Sequence, residues 1–181
     1  MTEERLDIQT ERLRLRPLEA ADAPRLSRLG GTPDVARMML SFQAPWPEEA
    51  VLRWIEASRY RGRLGFRLAI QERGSPDLVG IIGLGGRPAT LMYFIAGDYT
   101  GCGYASEAAR GLLAWAFPRF ELDAVEADHF HDNPASGTIL RRLGFVQTGY
   151  DRATNPLRLE PEPITLYRLT RNAFEAQQCN S

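Results

Sequence analysis

Thr100-Gly101-Cys102-Gly103-Tyr104-Ala105 joins an apolar stretch, Leu91 to Ala96, to a segment in which Ala105, Ala109, Leu112 and Ala116 fall near one helical face. A glycine-bearing strand-to-helix turn has a definite chemical capacity. The first N–H groups of a helix have no intrahelical acceptor, and the macrodipole adds positive potential there. A phosphate fits such a place, and Gly101, Gly103 and Ala105 leave room for the backbone to approach it. No Gly-Lys-Ser/Thr follows, which excludes a P-loop. Gly101-x-Gly103 lacks the third glycine of a dinucleotide fingerprint, and no βαβ unit opens the chain. An ordinary glycine-rich connection with no ligand would use the same residues. His129 and His131 lie two apart on an expected strand and point the same way with Asp132 nearby, an arrangement that could hold a metal. No Cys or His partners follow at metal spacing, so no metal is expected. Cys102, at a helix start, could be a reactive thiol, but the expectation is a structural position whose backbone matters.

The elements that position these residues are legible in order. Arg12 to Arg16 alternates arginine with Leu13 and Leu15, the period of a half-buried strand. Asp22 is placed to cap a first helix carrying Leu26 and Leu29, which Gly30-Gly31 ends. Pro47, Glu48 and Glu49 suit the first turn of a second helix. Trp54 is expected to be packing, and Trp46 is open between packing and a place near a pocket. Phe66, Leu68 and Ile70 predict a strand, Gly74 to Asp77 a turn, and Leu78 to Leu84 the returning strand of a hairpin. The central strand and helix follow, with Pro118 marking the helix end. Val125 to Phe130 is another strand. Asn133-Pro134 starts a fourth helix with Ile139, Leu140 and Leu143 on its apolar face and Gly144 past its end. Phe145 to Tyr150 and Ile164 to Thr170 form a closing pair around a proline-punctuated loop.

Composition sets the bounds. The 181 residues are 44% hydrophobic, enough for one domain with a sizeable core and too apolar for a disordered chain. The formal net charge is −1, so no global field favours nucleic acid, and no nucleic-acid partner is expected. All 22 basic residues are arginine, a bias read as base composition more than function. The two cysteines, Cys102 and Cys179, are not expected to pair. No apolar run is long enough to span a membrane, and Met1-Thr2-Glu3-Glu4 is unlike a signal peptide, so a cytoplasmic protein is expected.

Residues 91–116 resemble the pyrophosphate-binding motif of the GNAT N-acetyltransferases, Gln/Arg-x-x-Gly-x-Gly/Ala, with Thr100 at the Gln/Arg position. Gly103-Tyr104-Ala105-Ser106-Glu107-Ala108 is similar to the branch of ribosomal-protein N-terminal acetyltransferases, RimJ/RimL-like. So are Asn133-Pro134-Ala135-Ser136 through Leu143-Gly144-Phe145, the opening Thr10 to Arg16 and the ending Ile164 to Thr170. The resemblance implies a single α/β GNAT domain over residues 1–181 with its core at about 9–172. Its sheet would be mixed and mostly antiparallel, with about seven strands, a splayed parallel pair and about four flanking helices. It also implies acetyl-CoA as donor, with backbone of Phe94, Ile95 and Ala96 meeting the pantetheine arm. Gly101, Cys102, Gly103, Tyr104 and Ala105 would hold the pyrophosphate.

Asn133 matches a family asparagine that contacts the pantetheine, and helix capping is compatible with that. Ser136 matches a serine near the cofactor sulfur, where it could donate a hydrogen bond to, or protonate, the departing thiolate; a solvent-facing hydroxyl is the bland alternative. The tyrosine used by many relatives is replaced by Leu140, and a central-strand glutamate of this branch by Thr90. Asp128 sits where some relatives carry a carboxylate and is the candidate base. The region of the first two helices would cover the acceptor. The expected reaction is direct acetyl transfer to a primary amine, foremost a protein or peptide N-terminus, without an acyl-enzyme, in a monomer or homodimer. Small-molecule amines, a CoA-sensing module without turnover, and an oligomer-building role are the alternatives.

Overall fold

The alternation of leucine and arginine near the start does form a strand. In the computed structural model, which describes residues 6–178, a short β1 (Ile8–Gln9) folds back on β2 (Leu13–Pro17), and Leu13 and Leu15 are fully buried. α1 (Ala23–Gly30), the single-turn α2 (Pro33–Ala36) and α3 (Glu48–Ala57) follow. β3 (Phe66–Glu72) and β4 (Leu78–Gly85) make the expected hairpin, and β5 (Thr90–Ile95) adds antiparallel to β4. α4 (Tyr104–Arg119) leads to β6 (Ala124–Phe130), α5 (Pro134–Arg142), β7 (Val146–Ala153), β8 (Glu162–Thr170) and α6 (Arg171–Gln178). One mixed sheet results, in the order β1-β2-β3-β4-β5-β6-β8-β7. It has eight strands where about seven were expected, and six helices where about four were. The additions are short or terminal: two-residue β1, four-residue α2, and α6 after the last expected strand.

Two cores hold the sheet from its two faces. On one, Leu15, Phe66 and Leu68 meet Ala108, Ala109, Leu112 and Ala116 of α4, whose small residues let the helix lie close. On the other, Ala69, Ile81 and Phe94 meet Leu26, Phe42, Trp46 and Ile55 from the α1–α3 region. Trp46 is buried, with its ring centroid 4.2 Å from Phe42 and 5.4 Å from Trp54, so both tryptophans pack. Asp22 is not the side-chain cap expected for α1. Its carboxylate instead accepts from both Arg16 Nη atoms at 2.8 Å and from the Glu19 N–H at 2.8 Å, a mostly buried pair that outcompetes capping. Cys179 lies outside the described residues. Among those described, no helix is long and apolar enough to cross a membrane.

β5 and β6 position the site. They are the parallel pair, and their register consists of one partnership, Thr90↔Glu126, anchored by the Glu126 N–H on Ala89 O at 2.8 Å. Beyond it β5 stays with β4 to Ile95, and β6 stays with β8 to Phe130. The two half-sheets therefore part in a V.

Candidate active site

The V opens into a cavity of about 730 Å³. Its inner edge is β5. Strand partners in an antiparallel ladder alternate between those that exchange hydrogen bonds and those that do not. Ala96 donates to Val79 O at 2.8 Å, so Ala96, Phe94 and Met92 direct their backbone groups to β4. Tyr93 and Ile95 then present N–H and C=O to the side where β6 has withdrawn. Of the expected Phe94, Ile95 and Ala96, only Ile95 offers its backbone to the cleft. Ala96 is replaced in this respect by Tyr93, because the Ala96 carbonyl also accepts from Tyr99 N–H at 2.9 Å. Phe94 still lines the cavity, and its ring packs edge-on to Phe42.

At the mouth, Gly101 and Gly103 both have φ +80°, the left-handed region that favours glycine, and Gly103 is the N-cap of α4. The N–H groups of Gly101 through Ala105 donate to nothing among the described residues. They form a cluster of free donors at the positive end of a 16-residue helix. Thr100 supplies no long side chain; its hydroxyl donates to Gly97 O at 2.7 Å. Cys102 is exposed with a free thiol.

The sequence reading missed how this loop is held. Glu107, in the first turn of α4, accepts from Thr10 Oγ1 at 2.6 Å, Arg12 N–H at 2.7 Å and Arg12 Nε at 2.7 Å. Arg12 Nη1 reaches Cys102 O at 3.0 Å, and its guanidinium lies 4.9 Å from the Tyr104 ring centre. Partial burial pushes the Glu107 carboxyl up, but the bonds from Thr10 and Arg12 outweigh it and hold it below the usual range. Arg12 thus fastens the β1–β2 turn to the loop and brings a cation beside it. The signal available was the Glu107 of the helical motif; its partners lie about ninety residues away.

α5 faces β5 across the cleft. Asn133 caps it, its Oδ1 accepting from Ser136 N–H at 3.3 Å, and its amide NH₂ has no partner among the described residues. Gly137 lets the helix close on β6: a Cβ there would fall 2.5 Å from His129 Nε2. Ser136 Oγ lies 2.9 Å from Tyr93 Oη, a contact the sequence did not reveal. Burial pushes the Tyr93 phenol up to about 12, against the opposing effect of the Ser136 bond, so it stays protonated near neutrality. Leu140 is buried, as an apolar residue should be at the position where many relatives carry tyrosine.

Asp128 lines the same cavity from β6. It has no hydrogen bond or ion pair among the described residues, and burial raises its pKa, with the neighbouring His129 working against the rise. His129 itself is engaged, Nδ1 with Phe130 O at 2.8 Å and Nε2 with Tyr167 Oη at 3.3 Å. His131 packs edge-on to Tyr150, and Asp132 is paired with Arg37 and Arg158. The His-x-His pair is thus occupied, and among the described residues no group of three or more His, Cys, Asp or Glu comes together.

The outer wall comes from the α2 segment, with Val35, Met38, Met39 and Leu40. The proline-rich loop between β7 and β8 clamps it. Buried Asn155 donates to Arg37 O at 2.7 Å, Ala36 O at 3.2 Å and Met39 O at 3.4 Å. Arg158 stacks 3.7 Å from the Phe130 ring centre and bonds both Arg37 O and Asp132. Each of these bonds joins segments about 25 to 120 residues apart.

Comparison with known proteins agrees with this architecture. Residues 12–146 match the family described as Acetyltransferase (GNAT) domain. The chain is 28% identical over 148 residues to the uncharacterized N-acetyltransferase YoaA of Bacillus subtilis, covering 78% of this chain and 84% of that one. Mycobacterium smegmatis RimJ, solved in complex with CoA-disulfide, superposes with TM-score 0.80 at 20% identity over 98% of this chain and 96% of its own. RimL, the ribosomal L7/L12 α-N-protein acetyltransferase solved with coenzyme A, also gives 0.80, at 17% identity over 93% and 99%. With the family match spanning most of the sequence and the fold in accord, the chain belongs to the GNAT acetyltransferase family.

Proposed function

We propose that this acetyltransferase moves the acetyl group of acetyl-CoA directly to a primary amine, with the N-terminal amine of a peptide or protein as acceptor. One observation carries the donor: unpaired β5 backbone at Tyr93 and Ile95 shares a cleft with free N–H groups at the start of α4. An extended amide-bearing arm ending in phosphates fits both, the arm adding to the strand edge and the phosphates resting on the helix start. Gly101 to Ala105 would hold the pyrophosphate, with Arg12 beside it, and the Asn133 amide would meet the arm. The likeness to RimJ and RimL, and the open cavity beyond the cleft, support a peptide amine as acceptor.

In this mechanism Asp128 takes the proton the amine must lose to attack. A carboxylate with raised pKa is a better base near neutrality than an ordinary one. The new C–N bond forms as the C–S bond breaks, and Ser136, hydrogen-bonded to Tyr93, donates a hydrogen bond that stabilises the departing thiolate, which then takes its proton from solvent. Ser136→Ala and Tyr93→Phe should then lower kcat non-additively, as residues in one network do.

Two measurements test the proposal. Acetyl-CoA at roughly a hundredfold excess over its Kd should stabilise the protein by about 2.7 kcal/mol. Peptide amines should then release CoA thiol faster than small amines. Faster release with polyamines or aminoglycosides would move the acceptor to the small-molecule class. Binding without release from any amine would favour a CoA-sensing module, and no binding would overturn the proposal.

A further inference from the structure

Arg67 is a half-buried charge, its Nε sealed from solvent, that the transfer chemistry leaves unexplained. It lies on β3 between Phe66 and Leu68, which face α4, so its side chain takes the opposite face, toward α1–α3. The register runs Arg67↔Gly83↔Met92 across β3, β4 and β5, with Gly85↔Thr90 in the next row on that face. The two glycines clear a path. A Cβ on Gly83 would collide with Arg67 Cδ, and one on Gly85 would press on Nη2 at 3.2 Å. The guanidinium therefore lies along the sheet beside Gly85, and Arg67 lines both the cleft cavity and a second one that it shares with Glu19 and Arg59.

Among the described residues no carboxylate answers it. Nη1 donates to its own neighbour's carbonyl, Phe66 O, at 2.9 Å. Among the described residues Nε, sealed from solvent, has no partner, and Nη1 is the one guanidinium nitrogen that donates. Two acids line the cleft cavity, Asp34 and Asp128, and neither forms an ion pair with Arg67. Burial depresses the Arg67 pKa, and no neighbouring charge opposes the fall. Every other arginine described near this wall has a partner: Arg37 and Arg158 share Asp132, and Arg16 holds Asp22. Arginine is rarely buried without a counter-charge, because desolvating a lone cation is costly.

We propose that Arg67 is a specificity residue that receives a carboxylate of the acceptor, so the amine to be acetylated belongs to a molecule that also carries an acid. This rests on the transferase proposal above and narrows its acceptor. The register gives the spacing. Thr90↔Glu126 puts Asp128 on the face of Met92, so Asp128 and Arg67 share one transverse row on either side of β4 and β5. At about 4.8 Å per strand, their backbones are at least roughly 14 Å apart, and the long arginine side chain shortens the gap. An amine near Asp128 and a carboxylate on Arg67 then fit the two ends of one compact acceptor. The carboxylate could be the α-carboxylate of a free amino acid or an acidic side chain close to a peptide N-terminus.

Paired probes test this. Free amino acids are compared with their α-amides, and short peptides with Asp or Glu in the first three positions with their Asn or Gln counterparts, by CoA-thiol release. In the wild type at least one arm should prefer the acid in kcat/KM by about tenfold, equivalent to 1.4 kcal/mol. Preference in the first arm identifies the α-carboxylate, and preference in the second the side chain. Arg67→Gln should reduce the ratio to near unity, through KM, while Arg67→Lys keeps part of it. Equal rates on acid and amide in both arms, or a preference that survives Arg67→Gln, would overturn the proposal. If no probe releases thiol, the transferase proposal is the one that fails. The acid and amide members are then compared by the stabilisation each gives the wild type in the presence of CoA, and equal stabilisation would overturn the role of Arg67. Should Arg67→Gln not fold, the wild-type acid-to-amide ratio and Arg67→Lys still decide the matter.

Discussion

The two sides of the cleft are built from different materials. The side assigned to the donor is backbone: Gly101 to Ala105 in one contiguous loop, and the free edge of β5. The side assigned to the acceptor is side chain, collected from distant elements: Arg67 from β3, Asp128 from β6, and a wall from α2 clamped by Asn155 and Arg158. Backbone recognition tolerates substitution of side chains, so a Thr at position 100 can be absorbed. Side-chain recognition does not, and one changed residue there alters which amine is accepted.

Gly103→Val should give the largest effect, because it breaks the backbone side at its least permissive point. A β-branched residue at φ +80° is strained, and the loop must rearrange. The stabilisation by acetyl-CoA should vanish, and CoA release with it; a variant that still binds acetyl-CoA normally would break the contrast between the two sides.

Asp128→Asn should come next, lowering kcat by about 100-fold while leaving acetyl-CoA binding intact. A base works when deprotonated, so wild-type activity should rise with pH through the raised Asp128 pKa, and the variant should lose that limb. The same carboxyl makes an opposite claim on stability. Its folded pKa lies above its unfolded one, so the folded state binds the proton more tightly. Its contribution is complete below the unfolded pKa and is lost as pH rises through the folded value. Asp128→Asn should thus be more stable than the wild type at neutral pH, relative to their difference in acid. An unchanged pH–rate profile would remove Asp128 from the mechanism.

Asn155→Ala sharpens the contrast with the smallest effect on rate. It strips the donors from three wall carbonyls in a buried place, at a cost of about 1–3 kcal/mol in denaturant unfolding. The acceptor KM should rise as the α2 wall loosens, with the acetyl-CoA response unchanged. Equal weakening of donor and acceptor binding would mean that the two sides are not independent.

Local sequence was enough to place the loop and helix start assigned to the donor. The Leu91–Ala116 stretch carries its own strand, turn and helix signals, and glycine at 101 and 103 is a local requirement of positive φ. The hairpin Phe66 to Leu84 and the Asn133 cap are local in the same sense. Tertiary structure decided the rest. The choice of Tyr93 and Ile95 over Phe94 and Ala96 depends on which residues face β4, a matter of ladder phase that a one-residue step reverses. Tyr93 meets Ser136 only because α5 docks across the V. Arg67 reads in sequence as the outward position of an alternating strand. It becomes a lone cation in a cavity only when the register sets Gly83 and Gly85 beneath it. Periodicity and turn chemistry act over a few residues and can be read from the chain; ladder phase, docking and the absence of a counter-charge are fixed by partners tens of residues away.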